Sequence, residues 1–101
     1  MNTKTISIFD YCGPFCTQRD TAGIDKLFEI LSITLEKKEK IILSRNNVKM
    51  MTVSFIDQLM VPLAITYSKD QIEKLIIFNP PLEEIFLKQI ERGIRLRTIH
   101  S

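Results

Sequence analysis

Two short, uninterrupted apolar runs, residues 41–43 (Ile-Ile-Leu) and 75–78 (Leu-Ile-Ile-Phe), constrain the fold more than any other feature of the sequence. Runs of this length are typical of strands that are buried on both faces, as in a parallel sheet covered by helices. Between them, residues 54–67 carry apolar side chains at helical spacing. This alternation of strand and helix predicts an α/β layer structure with a largely parallel sheet.

The N-terminal part of the chain extends the same alternation. Residues 3–9 alternate between polar and apolar side chains and predict a strand. Residues 10–18 contain a Gly-Pro turn signal and predict a loop. A helix should then begin at residue 20 or 21 and end in the charged run 36–40. Its apolar stripe consists of Ile24, Leu27, Phe28, Leu31 and Leu35.

The middle helix carries two local signals. Ser54 and Asp57 have the spacing of a capping box, which predicts a well-capped helix that begins at Ser54. Pro62 removes one backbone hydrogen bond and crowds the turn before it, so we expect a kink or an early end near Val61.

The last helix has a clear start signal in the sequence. Asn79 can cap it, and the prolines at 80 and 81 suit its first position. Its buried stripe consists of Leu82, Ile85, Phe86 and Ile90. Gly93 should end it. Residues 94–99 alternate again and predict a final edge strand.

Length and charge indicate one ordinary folded domain over residues 1–101. Lys and Arg exceed Asp and Glu by 14 − 12 = 2, which gives no strong attraction to nucleic acid or acidic membranes. The longest uncharged stretch, residues 58–68, is far shorter than the roughly 20 residues of a membrane span. The N-terminus lacks the apolar run of a signal peptide, so we expect a cytoplasmic protein with no membrane contact.

The sequence offers no convincing catalytic set. His100, the only histidine, is the penultimate residue, and the three glycines are too scattered for a phosphate-binding loop. Asp57 and Asp70 have no neighbours that suggest a carboxylate pair. We therefore predict a protein without enzymatic activity, cofactor, bound metal or small-molecule substrate.

The segment Cys12-Gly-Pro-Phe-Cys16 looks like the thioredoxin motif with one extra residue between the cysteines. The extra residue removes the registry that places the first sulfur at a helix N-terminus, where its thiolate is stabilised. Two reduced loop cysteines are the preferred interpretation. A regulatory disulfide, a metal site and a thiol-redox protein that uses Cys12 and Cys16 are the alternatives.

The C-terminal part is basic, with Lys88, Arg92, Arg95 and Arg97. A solvated basic face is the preferred interpretation, because no aromatic residues are interleaved for base stacking. A nucleic-acid accessory protein that uses this tail is a second alternative.

Apolar residues also precede the middle helix. Met50, Met51 and Val53 lie in a loop that joins a strand to a helix, at the sheet edge where open α/β folds place their sites. Full solvation of these side chains would be costly, and methionine suits adaptable partner surfaces. They either fold back on the core or contact another protein.

Residues 41–59 resemble a family signature. In the signature a strand leads through a loop into a helix, and the matching residues here are Val48, Met51, Thr52, Ser54, Phe55, Asp57 and Leu59. This pattern is similar to that of STAS-like domains of unknown function, which are anti-sigma-factor-antagonist-like, and residues 18–20 resemble the start of the family's first helix. Ser44-Arg45 departs from the family, which commonly has Asp-Phe at this strand end.

The resemblance implies a fold and a regulatory role. The expected fold is a mixed, mostly parallel sheet of about four to five strands covered by helices. The expected function is a bacterial protein–protein interaction module whose partner is an ATP-binding, histidine-kinase-like protein. The segment 48–59 would bind it, through Met50, Met51, Val53, Ser54, Phe55 and Asp57.

The resemblance also implies two candidate phosphoacceptors. Val53 occupies the position at which true anti-sigma-factor antagonists have their phosphorylated serine, and Thr52 and Ser54 flank it. A phosphate on either hydroxyl would lie at a helix N-terminus, where the helix dipole stabilises negative charge.

Overall fold

A computed structural model of the chain describes residues 3–17 and 21–99. In chain order the elements are β1 (Thr3–Ser7), α1 (Ile8–Cys12), β2 (Phe15–Cys16), α2 (Thr21–Glu36), β3 (Lys40–Ser44), β4 (Met50–Met51), α3 (Val53–Tyr67), α4 (Lys69–Leu75), β5 (Ile76–Asn79) and α5 (Glu84–Ile99). Among the described residues, no helix combines the length and the apolar character needed to cross a membrane. His100 and residues 18–20 lie outside the described residues.

The strands form two separate parallel groups. A three-stranded sheet has the order β1-β3-β5, and β2 pairs with β4 on their own. The α/β class and the parallel pairing are thus confirmed, whereas one sheet of four to five strands is wrong. β2 follows β1 after α1, and β4 follows β3 after the loop 45–49, so both strands of the short pair come after the carboxyl ends of two neighbouring sheet strands in chain order.

Only one face of the three-stranded sheet packs against the core. Ile6, Leu43 and Phe78 are in register across the three strands and belong to the core or contact it. The next row, Thr5, Ile42 and Ile77, points to the opposite face and lies outside the core. The prediction of strands buried on both faces is therefore wrong, because side chains alternate along each strand and the helical core covers one side.

The first long helix is confirmed, from Thr21 to Glu36. Four residues of its predicted stripe are almost fully buried, and Phe28 packs against them from a partly exposed position. The buried four are Ile24, Leu27, Leu31 and Leu35. Their spacing places them on one helical face, which forms the α2 side of the core.

The N-terminal strand is shorter than predicted. β1 ends at Ser7, and the chain turns into the single-turn helix α1. Ile8 and Cys12, four residues apart, both point into the core from this turn. The predicted loop 10–18 is therefore partly helical, and it also contains the short strand Phe15–Cys16.

The middle helix does not end at Val61. α3 continues through Pro62 to Tyr67. Leu63 and Ala64, which follow the proline, are buried in the core, so packing holds the last turns together despite the missing backbone donor.

The helix α4 was not predicted from the sequence. Ser68 caps it, since its hydroxyl accepts a hydrogen bond from the backbone N–H of Gln71 over 3.2 Å. Ile72 is its one buried residue, which leaves too little apolar periodicity in the sequence to reveal a seven-residue helix.

The last helix begins and ends later than predicted. Asn79 is the last residue of β5, and the prolines at 80 and 81 precede the helix, so the predicted cap and first position are wrong. α5 begins at Glu84 and runs without interruption to Ile99, so Gly93 does not end it and residues 94–99 are not a strand. Its predicted stripe is buried at Phe86 and Ile90, whereas Ile85 is exposed. Gly93 lies against α3, and the helix continues because its next turn also contacts α3, as described below.

Candidate functional site

The carboxyl ends of β1 and β3 carry an exposed apolar pair. Phe15 and Met50 are direct neighbours in the β2–β4 pairing and therefore point to the same side. Their side chains are large and open to solvent, 57% and 47% exposed. We call these two residues the edge patch. Its position at the carboxyl edge of a parallel sheet is where open α/β folds bind their ligands.

The backbone beneath the edge patch is held by hydrogen bonds. The N–H groups of Lys49 and Met50 both donate to the carbonyl of Pro14, over 2.7 and 3.1 Å. The N–H of Thr52 donates to the carbonyl of Cys16 over 3.0 Å. Two loops that are distant in sequence are thus fixed side by side, so the patch is presented without further ordering.

The other apolar residues of the predicted binding segment turn inward. Met51 and Val53 are partly buried and pack against the core. Phe55, which was predicted to contact the partner, is fully buried, so its side chain packs in the core and is not exposed at the surface. Met50 is the apolar residue of this segment that remains open.

Thr52, and not Ser54, caps α3. Its hydroxyl oxygen accepts a hydrogen bond from the backbone N–H of Phe55 over 3.1 Å, and its backbone is extended, as an N-cap requires. The predicted capping box is therefore wrong: the cap lies two residues earlier, and the backbone N–H of Thr52 donates to the carbonyl of Cys16 and not to Asp57. Ser54 lies exposed in the first turn, and its hydroxyl has no hydrogen-bond partner among the described residues.

Replacing Thr52 with alanine should lower the free energy of unfolding by about 1 kcal/mol, since one N-terminal N–H of α3 loses its side-chain acceptor. Ser54→Ala is the matched control and should change it by no more than about 0.5 kcal/mol. Urea unfolding monitored by circular dichroism measures both. The reverse order of effects would contradict this capping assignment.

Asp57 is engaged within the protein. Its carboxylate accepts hydrogen bonds from Arg97 over 2.8 Å and from the side chain of Gln89 over 3.1 Å. Its side chain is 24% exposed. The acidic residue of the family-like signature therefore ties α3 to α5 and does not belong to the edge patch.

Gly93 makes this helix contact possible. A Cβ atom at this position would lie 2.6 Å from Asp57 Oδ1 and 2.6 Å from Val61 Cγ2. Both distances are shorter than van der Waals contact, so only glycine allows α5 to approach α3 this closely. The absence of a side chain, which looked like a helix stop in the sequence, serves close packing here.

Arg45 closes the neighbouring edge, between β3 and the start of α5. Its guanidinium donates to the carbonyls of Pro80 and Pro81, over 3.3 and 2.7 Å, and pairs with the carboxylate of Glu83 over 2.7 Å. The hydrogen bond from Arg45 holds the pKa of Glu83 below its ordinary value of 4.5. Arg45 is one of the two residues that depart from the family signature, and its role here is structural.

The lowered pKa of Glu83 predicts a pH dependence of stability. The ion pair stabilises the fold only while Glu83 is ionised. Its contribution is therefore complete above pH 4.5 and is lost as pH falls through the lower pKa of the folded state. The difference in unfolding free energy between wild type and Glu83→Gln should be present at pH 7 and disappear in acid. An NMR titration of Arg45→Gln should return the pKa of Glu83 to its ordinary value, and an unchanged pKa would contradict the pairing.

Both cysteines, Cys12 and Cys16, are buried in the core. Cys16 is fully buried, and its thiol donates a weak hydrogen bond to the carbonyl of Gly13 over 3.6 Å. Burial at the end of α1 and in β2 leaves little access for a substrate disulfide. Within the described part of the chain, no three His, Cys, Asp or Glu side chains are placed to hold a metal ion.

The basic residues of the C-terminal part all lie on α5. Arg97 pairs with Asp57, and Lys88 pairs with Glu84 over 3.5 Å. Arg92 and Arg95 are exposed and have no ion pair with any described residue. These two form the free part of the basic surface.

No protein-family model matches this chain, and the searches of curated proteins and of solved structures gave no significant match. The similarity to STAS-like domains therefore stays a hypothesis that rests on residues 41–59. Function has to be inferred from the chain's own residues and their arrangement.

Proposed function

We propose that this chain is a non-enzymatic regulatory module of the STAS-like type that acts in the bacterial cytoplasm and binds a protein partner through the edge patch. The observation that carries the proposal is the side-by-side exposure of Phe15 and Met50 on a backbone fixed by hydrogen bonds. Large apolar residues that adjoin on the surface often mark a contact with another protein.

The energetics of the edge patch favour association. Burying a fully exposed large apolar side chain contributes roughly 1.5–3 kcal/mol, and about half of each side chain is still exposed, so burial of the pair contributes roughly that amount in total. Methionine adapts to irregular partner surfaces, and the aromatic ring adds a large rigid area. Because the strands beneath are already ordered, little conformational entropy is lost on binding.

Ser54 provides a site for regulation close to the patch in sequence. Its hydroxyl is exposed and has no structural role among the described contacts, whereas the hydroxyl of Thr52 caps the helix. Phosphorylation of Ser54 would add a charge of about −2 in the first turn of α3, where the helix dipole stabilises it. By the family resemblance, the kinase and partner would be an ATP-binding, histidine-kinase-like protein.

The partner interaction is tested by affinity purification from the native host. Three baits are used: wild type, the double variant Phe15→Glu/Met50→Glu and the control Ile33→Glu. The control changes a half-exposed isoleucine on α2. We expect that wild type and the control each recover an ATP-binding protein and that the double variant does not recover it. Recovery of the same proteins with all three baits would contradict the proposal. Circular dichroism establishes that each bait is folded.

The phosphorylation is tested separately with the recovered partner and ATP. Intact-mass measurement should show one added phosphate on wild type and none on Ser54→Ala. A phosphate that persists in Ser54→Ala would assign the site elsewhere, and the absence of any phosphate would remove the switch while leaving partner binding in place.

A second candidate function is nucleic-acid binding, favoured by the exposed and unpaired Arg92 and Arg95. It predicts binding that weakens as salt rises and that is lost when both arginines are changed to glutamate. Arg97 is unsuitable for this test, because its substitution would also break the contact with Asp57.

A further inference from the structure

A narrow apolar groove lies where α3, α4, β5 and α5 meet, and it shares no residue with the edge patch. Its apolar lining includes Ala64, Ile72, Phe78 and Ile90. Leu87 also lines it and is half exposed. The volume of the groove is about 170 Å³.

The groove has an acidic rim. Lys69 lies between two carboxylates, with its ammonium 3.0 Å from Glu91 and 3.7 Å from Glu73. Its pKa is raised, chiefly by the hydrogen bond to Glu91, so it remains protonated at neutral pH. Two negative charges and one positive charge leave the rim with an excess of one negative charge. A ligand that combines an apolar group with a nearby cation complements both parts.

The volume of the groove indicates the size of the ligand that fits it. A cavity of about 150 Å³ lined by aliphatic and aromatic residues holds one benzene ring. Sites for whole small molecules typically measure about 300–1,000 Å³. The groove is therefore sized for a single aromatic or large aliphatic side chain presented by another protein.

We propose that this groove is a docking site for a partner segment that inserts one aromatic or large aliphatic side chain next to a lysine or arginine. The inserted side chain contacts Ile72, Phe78 and Ile90, and its basic neighbour pairs with Glu73 or Glu91. This contact surface is separate from the edge patch and does not depend on the function proposed for it.

Three blocked peptides test the proposal: Ala-Lys-Phe-Lys-Ala, Ala-Glu-Phe-Glu-Ala and Ala-Lys-Ser-Lys-Ala. They are titrated into methyl-labelled protein at low salt, and NMR follows the methyl signals. The first peptide should shift the signals of Ile72, Leu87 and Ile90, the second should bind at least about fivefold more weakly, and the third should not bind. Equal affinity of the first two, or shifts centred on Met50, would overturn the proposal.

Surface variants locate the binding without endangering the fold. Glu91→Gln and Glu73→Gln should each weaken binding of the first peptide about twofold to fivefold, and Leu87→Gln should weaken it further. Ile85→Gln is the matched control, since Ile85 is exposed on the same helix but does not line the groove. Binding unaffected by the first three variants, or no shift of any methyl signal, would also overturn the proposal.

Discussion

Replacing Gly93 with leucine should lower the free energy of unfolding by about 3 kcal/mol, and even alanine should lower it by about 1 kcal/mol. At an exposed helix position, glycine to alanine would instead raise stability by about 1 kcal/mol. The sign reverses here because the new Cβ would lie 2.6 Å from both Val61 and Asp57. Val61 is fully buried and stiff, and movement of Asp57 would disturb its pairing with Arg97.

A double-mutant cycle identifies the cause of this loss. Val61→Ala frees space at the point of contact, so Gly93→Ala should cost less in that background than in wild type. Arg92→Ala, on the exposed side of the same helix, is the control and should change stability by no more than about 0.5 kcal/mol. Denaturant unfolding measures all variants. A stabilising effect of Gly93→Ala would show that the helices do not approach this closely.

Replacing Phe55 with alanine should lower the free energy of unfolding by about 3–5 kcal/mol. The ring is fully buried in the core, and its removal leaves a cavity that the surrounding side chains fill only in part. A loss of this size is a large fraction of the stability of a small domain, so the variant should be partly unfolded at moderate temperature.

The same substitution distinguishes a structural role from a binding role. Ser54→Ala, at the exposed neighbouring position, should leave stability nearly unchanged. Thermal unfolding and partner capture are measured on both variants. If the Phe55→Ala variant no longer bound the partner but were as stable as wild type, Phe55 would be a contact residue. That result would contradict the burial of its side chain.

The secondary structure was predictable wherever many apolar residues share one period. Five stripe positions over 16 residues predicted α2, and the short apolar runs marked β3 and β5. Short elements were not predictable, because α1 is one turn long and the β2–β4 pair has two residues in each strand. Such elements form because neighbouring strands hold them in place, and that arrangement has no local sequence pattern.

The C-terminal half of α5 shows why one residue type can mislead. Glycine ends many helices, but it also allows two helices to approach closely, and the sequence does not distinguish the two roles. The close contact with Val61 shows that Gly93 has the second role, close approach of two helices. The alternation of residues 94–99 favoured a strand, yet the same residues place Arg97 one turn beyond Gly93, where a helix brings it to Asp57.

The candidate site was predictable in part. The sequence pattern indicates Met50, an apolar residue before a helix, whereas Phe15 stands between two cysteines, and their spacing gives no sign of its exposure. The same signal, an apolar residue after a Gly-Pro turn, could have identified it. The roles of Thr52 and Ser54 depended on the start of the helix to within one residue, which sequence patterns do not resolve.

The central place of β3 in the sheet sets the order in which the backbone opens. β3 has a hydrogen-bonded neighbour on each side, whereas β1 and β5 each pair on one side within the described sheet. The amides of Ile41 and Leu43 point to the same neighbouring strand, and the side chains of both residues are fully buried, so these amides reach water only when that strand separates and the core opens. Hydrogen exchange should therefore be slowest at these two buried positions, and the free energy measured there should approach that of global unfolding.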